Sequence, residues 1–490
     1  MKLTINSITK SISGRVIRSN TKNNNQEFSG LFTVLDSAKK GDIVIRHWIN
    51  GKGIKIANEK DVLAIITENP LENSIELAES LDFPIIIVDK IENANAFALN
   101  YSLNLFASNS KKVVVSGTNG KSTTSHLIYH ILNNLGANVV TNTDFKSEFN
   151  TLIDPMVSKL ISDYGIEKEL DYVIIEVSEI QGWVNRLMKN HAPIMTTAIN
   201  PDVTVITNIS LDHIDLIDSL EEIYKEISKI IRVIRKGTIV LNKGDQLVSS
   251  LNEFKNSDVK SFYFLYNDNH INNEKDKIVS FDNKNIIYND EIILSLDEIP
   301  FKSKHFIENI LAAISVCINL NIPLSNIIEG VMSYKPLKRR FSKLNENPLI
   351  IDDFAHNPEG IRATINAVSK INNGTLWIVS AIRGSRGIEI NGLNSKSLVD
   401  SIYSCKDIKV NLIISNSSDF VDGVNIVKLN EERIFLKVLN DNKIDFTHFD
   451  KLHDALSYTY NNANIKDTIL FIGAQGMDFA ETVLEDIKKC

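Results

Sequence analysis

The strand Val113 to Ser116 runs without interruption into Gly117, Thr118, Asn119, Gly120, Lys121, Ser122 and Thr123, and these open a helical pattern from Lys121 to Leu135. Few architectures accept so abrupt a passage from strand to helix. The glycines let backbone N–H groups approach a bound anion, the helix N-terminus adds positive potential, and the Lys121 ammonium reaches outward. The pattern predicts a phosphate-binding loop at the end of a parallel strand, with the Ser122 hydroxyl placed for a magnesium ion. Val115 stands where the common phosphate-loop pattern has glycine, so the loop is a shorter variant. The bland alternative, a glycine turn that only caps a helix, is disfavoured by the strand before it and the helix after it.

The remaining chain extends this α/β reading. With 490 residues it exceeds one ordinary core, and its periodicity divides it into 1–110, 111–335 and 336–490. The first unit has strands at Asp42 to Arg46, Val62 to Thr67 and Pro84 to Val88, with helices at Ser74 to Leu81 and Ala94 to Leu105. In the second, strands at Asn138 to Thr141, Tyr172 to Val177, Val203 to Thr207 and Thr238 to Leu241 accompany a helix near Leu220 to Ile234. The polar stretch Asn252 to Asp297 reads as short edge strands and loops, and the helix Ile307 to Leu320 as the end of the unit. The third alternates strand Leu349 to Asp352, helix Pro358 to Ile371, strand Leu376 to Ser380 and helix Leu393 to Ser404, then strands Asn411 to Ser415 and Thr468 to Ile472. This alternation predicts mostly parallel, doubly wound sheets.

Composition narrows the partners. A net charge of -8 without basic or acidic blocks gives no footprint for nucleic acid or an anionic membrane, which leaves small molecules. The polar-interrupted N-terminus and short apolar runs give neither a signal peptide nor a spanning helix, so a cytoplasmic place is expected. Cys317, Cys405 and Cys490 have no spacing suited to zinc or a disulfide framework.

Two further strand ends carry chemistry. The strand beginning at Tyr172 ends in Glu176, whose carboxylate is placed in the crevice where nucleotides bind and can hold magnesium. Past Val203 to Thr207 come Asn208, Ile209, Ser210, Leu211, Asp212 and His213, where an imidazole could hold a second metal while its neighbour fixes its orientation. Alone, either would be an ordinary loop residue; beside a phosphate loop they make a metal site.

Gly-Thr-Asn-Gly-Lys-Ser-Thr at 117–123, Glu-Val-Ser at 176–178 and Thr-Asn-Ile-Ser-Leu-Asp-His at 207–213 together resemble the Mur ligase family. The resemblance continues through His305 to Ala313, Arg340-Phe341 and Asp352-Asp353-Phe354-Ala355-His356-Asn357-Pro358. It implies three domains: a small α/β N-terminal one for a UDP-type or other large substrate, a central ATPase and a Rossmann-like C-terminal one for an amine. It also implies an ATP- and Mg2+-dependent ligase that joins a carboxylate to an amine through an acyl phosphate. The loop residues 117–123 would then bind ATP, with Lys121 on its terminal phosphates. Ser122, Glu176 and His213 would hold metal, Asn309 would meet adenine, and Arg340 and Asp353 would grip phosphate and ribose on closure. His356 would help position the amine. The expected product is a UDP-linked peptide of a peptidoglycan-like or pseudomurein cell wall, made by a monomer or weak homo-oligomer. Ligation of a tetrapyrrole precursor or of polyglutamate is the alternative within the family, and a phosphate-loop switch without ligase activity is the alternative outside it.

Two departures stand out. Ile227 occupies the place where many members carry a carbamylated lysine, and Lys225 and Lys229 point elsewhere on a helix. Ser415, Asn416, Ser417 and Ser418 replace a diaminoacid motif, so the amine cannot be carried over; Arg383 and Arg386 offer a seat for a carboxylate or phosphate.

Overall fold

The computed structural model describes residues 3–17, 25, 27–143, 155–183, 186–210, 219–266, 277–299 and 302–489. Three large sheets follow one another along the chain, and a two-stranded hairpin of Gly182–Trp183 and Arg186–Leu187 accompanies them. In the first the order is Arg15–Ile17, Ile85–Ile87, Ala64–Pro70, Ile43–Ile49, Phe32–Thr33, all parallel except Arg15–Ile17. Both faces are covered, so alternate residues feed two cores: Ile43, Ala64, Ile66 and Ile86 one, Val44, Ile65 and Ile85 the other.

The helix Gly51–Glu59 was not expected, because two glycines in its first turn are poor helix formers. It forms there because the Asn50 side chain accepts the Gly53 N–H at 3.0 Å and because a Cβ on Gly53 would collide with Ile49. Packing and capping override propensity.

The central sheet has nine strands, ordered Glu291–Ser295, Asn285–Tyr288, Ile278–Phe281, Lys260–Tyr266, Thr238–Asn242, Val203–Ile206, Lys111–Ser116, Tyr172–Glu176, Val139–Thr141. Neighbouring strands are parallel except at Asn285–Tyr288, which runs against both of its neighbours. The phosphate-loop strand therefore lies between the strands that lead to Glu176 and to Thr207, with Val115 paired to Glu176 and Ser116 to Ile206. The three ends emerge at one edge of the sheet.

Two expectations need correction. Lys260–Tyr266 is an interior strand, not an edge one; it pairs on both sides and buries Phe262 and Phe264. The polar turns that flank it hid its apolar face. Nor does the helix Lys304–Asn319 close the unit, since Leu324–Met332 follows and sets Gly330 against Ile131 of the helix Lys121–Asn134.

The third sheet runs Ser342–Glu346, Leu349–Asp353, Thr468–Ile472, Leu376–Ala381, Val410–Ser415, Phe446–Phe449, with only the first strand antiparallel. Pro358–Ser369, Ile388–Ser404 and Leu429–Asp441 cover one face, Leu452–Asn462 and Ala480–Ile487 the other. Among the described residues, no helix is long and apolar enough to cross a membrane.

The first sheet and its helices are joined to the short hairpin Gly182–Trp183 and Arg186–Leu187 by a partly buried charge network. Arg186, on the short hairpin strand Arg186–Leu187, donates to Glu68 at 2.7 Å and to both oxygens of Glu92 at 3.1 and 2.9 Å. Burial opposes the charge on Glu92, and the Arg186 hydrogen bonds together with a backbone hydrogen bond and the positive charge of Arg186 outweigh it, holding the carboxyl below its usual range. Removing one partner from such a pair leaves an unanswered buried charge. Arg186→Ala is therefore expected to cost about 3 kcal/mol and to lower the first thermal unfolding transition. Pairing it with Glu92→Gln should recover part of the loss.

Candidate active site

Everything at the edge of the central sheet turns on how the loop after Ser116 is held. Gly117 and Gly120 stand at φ +122° and +83°, a conformation costly for any residue with a Cβ. Thr118 N–H donates to Asn208 O at 2.9 Å, Asn119 N–H to Asn208 Oδ1 at 2.9 Å, and Asn119 O accepts from Thr207 Oγ1 and Asn208 Nδ2 at 2.7 and 2.8 Å. The Thr207-Asn208 pair on the neighbouring strand end thus acts as the mould of the loop.

Behind the loop lie the acids. Ser122 Oγ is 3.2 Å from Glu176 Oε1, while Glu176 Oε2 accepts from Thr143 Oγ1 at 2.9 Å. Lys121 Nζ donates to Gly117 O at 2.7 Å, Thr118 O at 2.8 Å and Glu179 Oε2 at 2.9 Å. The sequence motifs gave Glu179 no role, and nothing in its spacing sets it apart.

The third sheet closes over this edge. Asn357 Nδ2 donates to Asn119 Oδ1 at 2.9 Å, and Asn119 Nδ2 donates to Ser210 Oγ at 3.0 Å and Glu359 Oε2 at 3.4 Å. The tip of the loop is therefore bonded directly to the start of the helix Pro358–Ser369. Asp353 accepts from Phe341 N–H at 2.7 Å, Ala355 N–H at 2.9 Å and Thr364 Oγ1 at 2.9 Å. Arg340 lies over the Phe354 ring at 4.8 Å and His356 Nδ1 is 3.0 Å from Phe354 O.

A cleft of about 530 Å³ results, lined by residues 118–123, Glu176, Asn309, Arg340, Asp353 and His356. Gly117 is not part of that lining, and His213 lies outside the described residues. Asn309 is set against Gly120, where any Cβ would collide with its Oδ1. Arg383 joins the lining; Arg386 does not. Ile227 is fully buried in the core, Lys225 pairs with Glu221 at 2.7 Å, and Lys229 bonds Glu226 and Asn190. No lysine of that helix lines the cleft.

The far wall holds Asn242, Phe264, Lys304, His305 and Glu308, most of which the motifs did not mark. Burial pushes the Glu308 carboxyl up to about 7; Glu359 and Asp245 reinforce this, while Lys304 and an Asn242 hydrogen bond oppose it. Burial likewise holds His305 below its usual range, against Asp353 and Glu359. Among the described residues, no three of His, Cys, Asp and Glu gather into a metal cage. Ser122 and Glu176 nonetheless form a pair of hard oxygen donors beside a phosphate loop, which suits magnesium that keeps waters and phosphate oxygens as its other ligands.

Residues 115–317 match the family model described as the Mur ligase middle domain, and residues 339–475 match the Mur ligase, glutamate ligase domain. The chain belongs to the Mur ligase family. It is an ATP-dependent ligase that forms amide bonds. A UDP-N-acetylmuramate–L-alanine ligase of Caldicellulosiruptor bescii is 25% identical, over 84% of this chain and 82% of that protein. The crystal structure of MurF from Acinetobacter baumannii shares the fold at TM-score 0.69 and 17% identity, covering 100% of this chain and 99% of that one. A pseudomurein peptide ligase type C from Methanothermus fervidus does so at TM-score 0.56 and 21% identity, covering 91% and 95%.

Two outcomes test this geometry. Gly120→Ala would strain the backbone and displace Asn309, so nucleotide affinity should fall about tenfold, a loss near the 1–2 kcal/mol of a forced left-handed residue, in a fluorescent-nucleotide titration. Glu308 is neutral below about 7 and ionised above it. Extra negative charge beside a polyanion weakens binding, so ATP affinity should drop several-fold as pH rises from about 6 to about 8. Glu308→Gln should flatten that dependence.

Proposed function

We propose that this ligase adds an amino acid to the free carboxylate of a UDP-linked peptide or related precursor in cell-wall synthesis, in the cytoplasm where ATP is available. The observation that carries the reading is the shared cleft: Lys121, Ser122 and Glu176 from one sheet face Arg340, Asp353, His356 and Arg383 from another. A phosphate-loop switch would need only the first set. The small first sheet is assigned to the UDP-linked partner and the third to the amine.

The chemistry follows from charge. A carboxylate anion resists an amine, so the γ-phosphoryl group of ATP is first transferred to it, giving an acyl phosphate and ADP. Residues 117–123 seat the phosphates and Lys121 neutralises charge on the transferring oxygens. Magnesium, held by Ser122 and Glu176 with His213 as a further ligand, would supply additional charge neutralisation. Arg340 and Asp353 grip phosphate and ribose, and Asn309 meets the adenine. An uncharged amine then attacks the acyl carbon and releases phosphate. Asn357 and Glu359, bonded to the loop tip, keep the third sheet closed over the reacting groups and exclude water that would hydrolyse the intermediate. His356 and Arg383 are placed to orient the amine substrate.

The test is a reaction with ATP, a panel of UDP-linked carboxylates and amino acids, read by product mass. One combination should yield the sum of its partners less water, with one ADP per bond. Products from tetrapyrrole or polyglutamate acceptors alone would move the assignment within the family, and ADP release that needs neither partner would overturn it. Lys121→Ala should reduce turnover by about a thousandfold or more. Asn357→Ala should instead raise ADP formed per amide bond, because the acyl phosphate would meet water more often.

A further inference from the structure

Glu179 is a buried carboxylate that the polypeptide answers on one side only. Its side chain is 0% exposed, Oε2 accepts from Lys121, and Oε1 has no hydrogen-bond partner among the described residues. Leaving a carboxylate oxygen buried and unpaired is costly enough to call for an explanation.

Lys121 supplies one. Its ammonium has three N–H groups, and Gly117 O, Thr118 O and Glu179 Oε2 take all three. To reach a phosphate oxygen it must give up at least one of them. Lys121 lines the cleft whereas Glu179 is not part of its lining, so an ammonium drawn further into the cleft loosens its hold on the carboxylate. Where that movement breaks the ion pair, Glu179 is left with neither oxygen paired. Another cation must take the place of the ammonium. One arrives with the nucleotide itself, and Ser122 and Glu176 already bring oxygen ligands to this strand end, where Glu179 follows Glu176 by three residues.

We propose that Glu179 is a metal ligand guarded by Lys121, exchanging the ammonium for a divalent cation when nucleotide draws the lysine onto its phosphates. This rests on the reading of Lys121 as a phosphate ligand. Nucleotide and metal then bind with positive coupling through one carboxylate.

The full-length chain can be titrated with Mn2+, followed by electron paramagnetic resonance, with and without the non-hydrolysable analogue AMPPNP. With AMPPNP bound, Glu179→Gln should weaken Mn2+ binding at least about tenfold, the scale on which metal sites respond to loss of a supporting group. In EDTA the same variant should bind AMPPNP as tightly as wild type or more tightly, since Lys121 is no longer held by an anion. Lys121→Met removes the competing cation, and without nucleotide it should bind Mn2+ more tightly than wild type. That second variant decides the matter if Glu179→Gln does not fold. Unchanged Mn2+ affinity in Glu179→Gln, or in Lys121→Met without nucleotide, would leave Glu179 as a counter-ion alone and overturn the proposal. Failure of the wild type to bind AMPPNP would instead remove the phosphate-loop reading, and this inference with it.

Discussion

Between Ser116 and Lys121 the backbone must pass from strand to helix in four residues, and it does so only because Gly117 and Gly120 adopt positive φ. Such a turn has no hydrogen-bond ladder of its own. Its peptide groups are answered instead by Thr207 and Asn208 on the adjacent strand, which ties the loop's shape to strand order in the sheet. Because Asn119 bonds that mould through its backbone, its carboxamide is left to reach Ser210 on its own side of the cleft and Asn357 and Glu359 on the other. One residue thus reads both the loop and the position of the third sheet.

The opposite wall uses backbone strain in a similar way. Arg339 and Phe341 stand at φ +58° and +57°, on either side of Arg340. The alternation sends Arg339 back into its own unit, to Asp352, Asp478 and the carbonyls of Gly473 and Ala474, while Arg340 lines the cleft. Both guanidinium groups lie within 5.0 Å of the Phe354 ring centre. Asp353 holds the turn through Phe341 N–H and the following segment through Ala355 N–H. Much of its carboxylate's bonding capacity thus maintains the geometry that aims Arg340.

This division explains what could be read from the chain beforehand. Strand ends followed by glycine or acid announce themselves, because their chemistry and their local structure lie in the same few residues. Apolar strands such as Tyr172–Glu176 and Leu376–Ala381 were legible for the same reason. Lys260–Tyr266 was misplaced because polar turns surround it, and Gly51–Glu59 was missed because its stability comes from a cap and from close packing. Glu179 and the Arg186 network were silent in sequence, and Glu308 lay within a motif that gave it no role. Their importance lies in what tertiary structure places beside them: an ammonium, a low-dielectric wall, a hairpin. No local pattern encodes that.

Charge across the cleft then constrains what can occupy it. Lys121, Lys304, Arg340 and Arg383 face Glu176, Asp245, Glu308, Asp353 and Glu359. Even with Glu308 neutral, the wall offers no cationic excess to a bare triphosphate, whose own charge would be poorly answered. The phosphate loop's N–H groups and helix N-terminus supply partial charges but not whole ones. On the proposed reading, a divalent cation brought in with the nucleotide would correct the balance, and the carboxylates of the wall would favour its capture. The acids that disfavour ATP alone would then favour its metal complex, so that the ion would strengthen nucleotide binding as well as aid the later step.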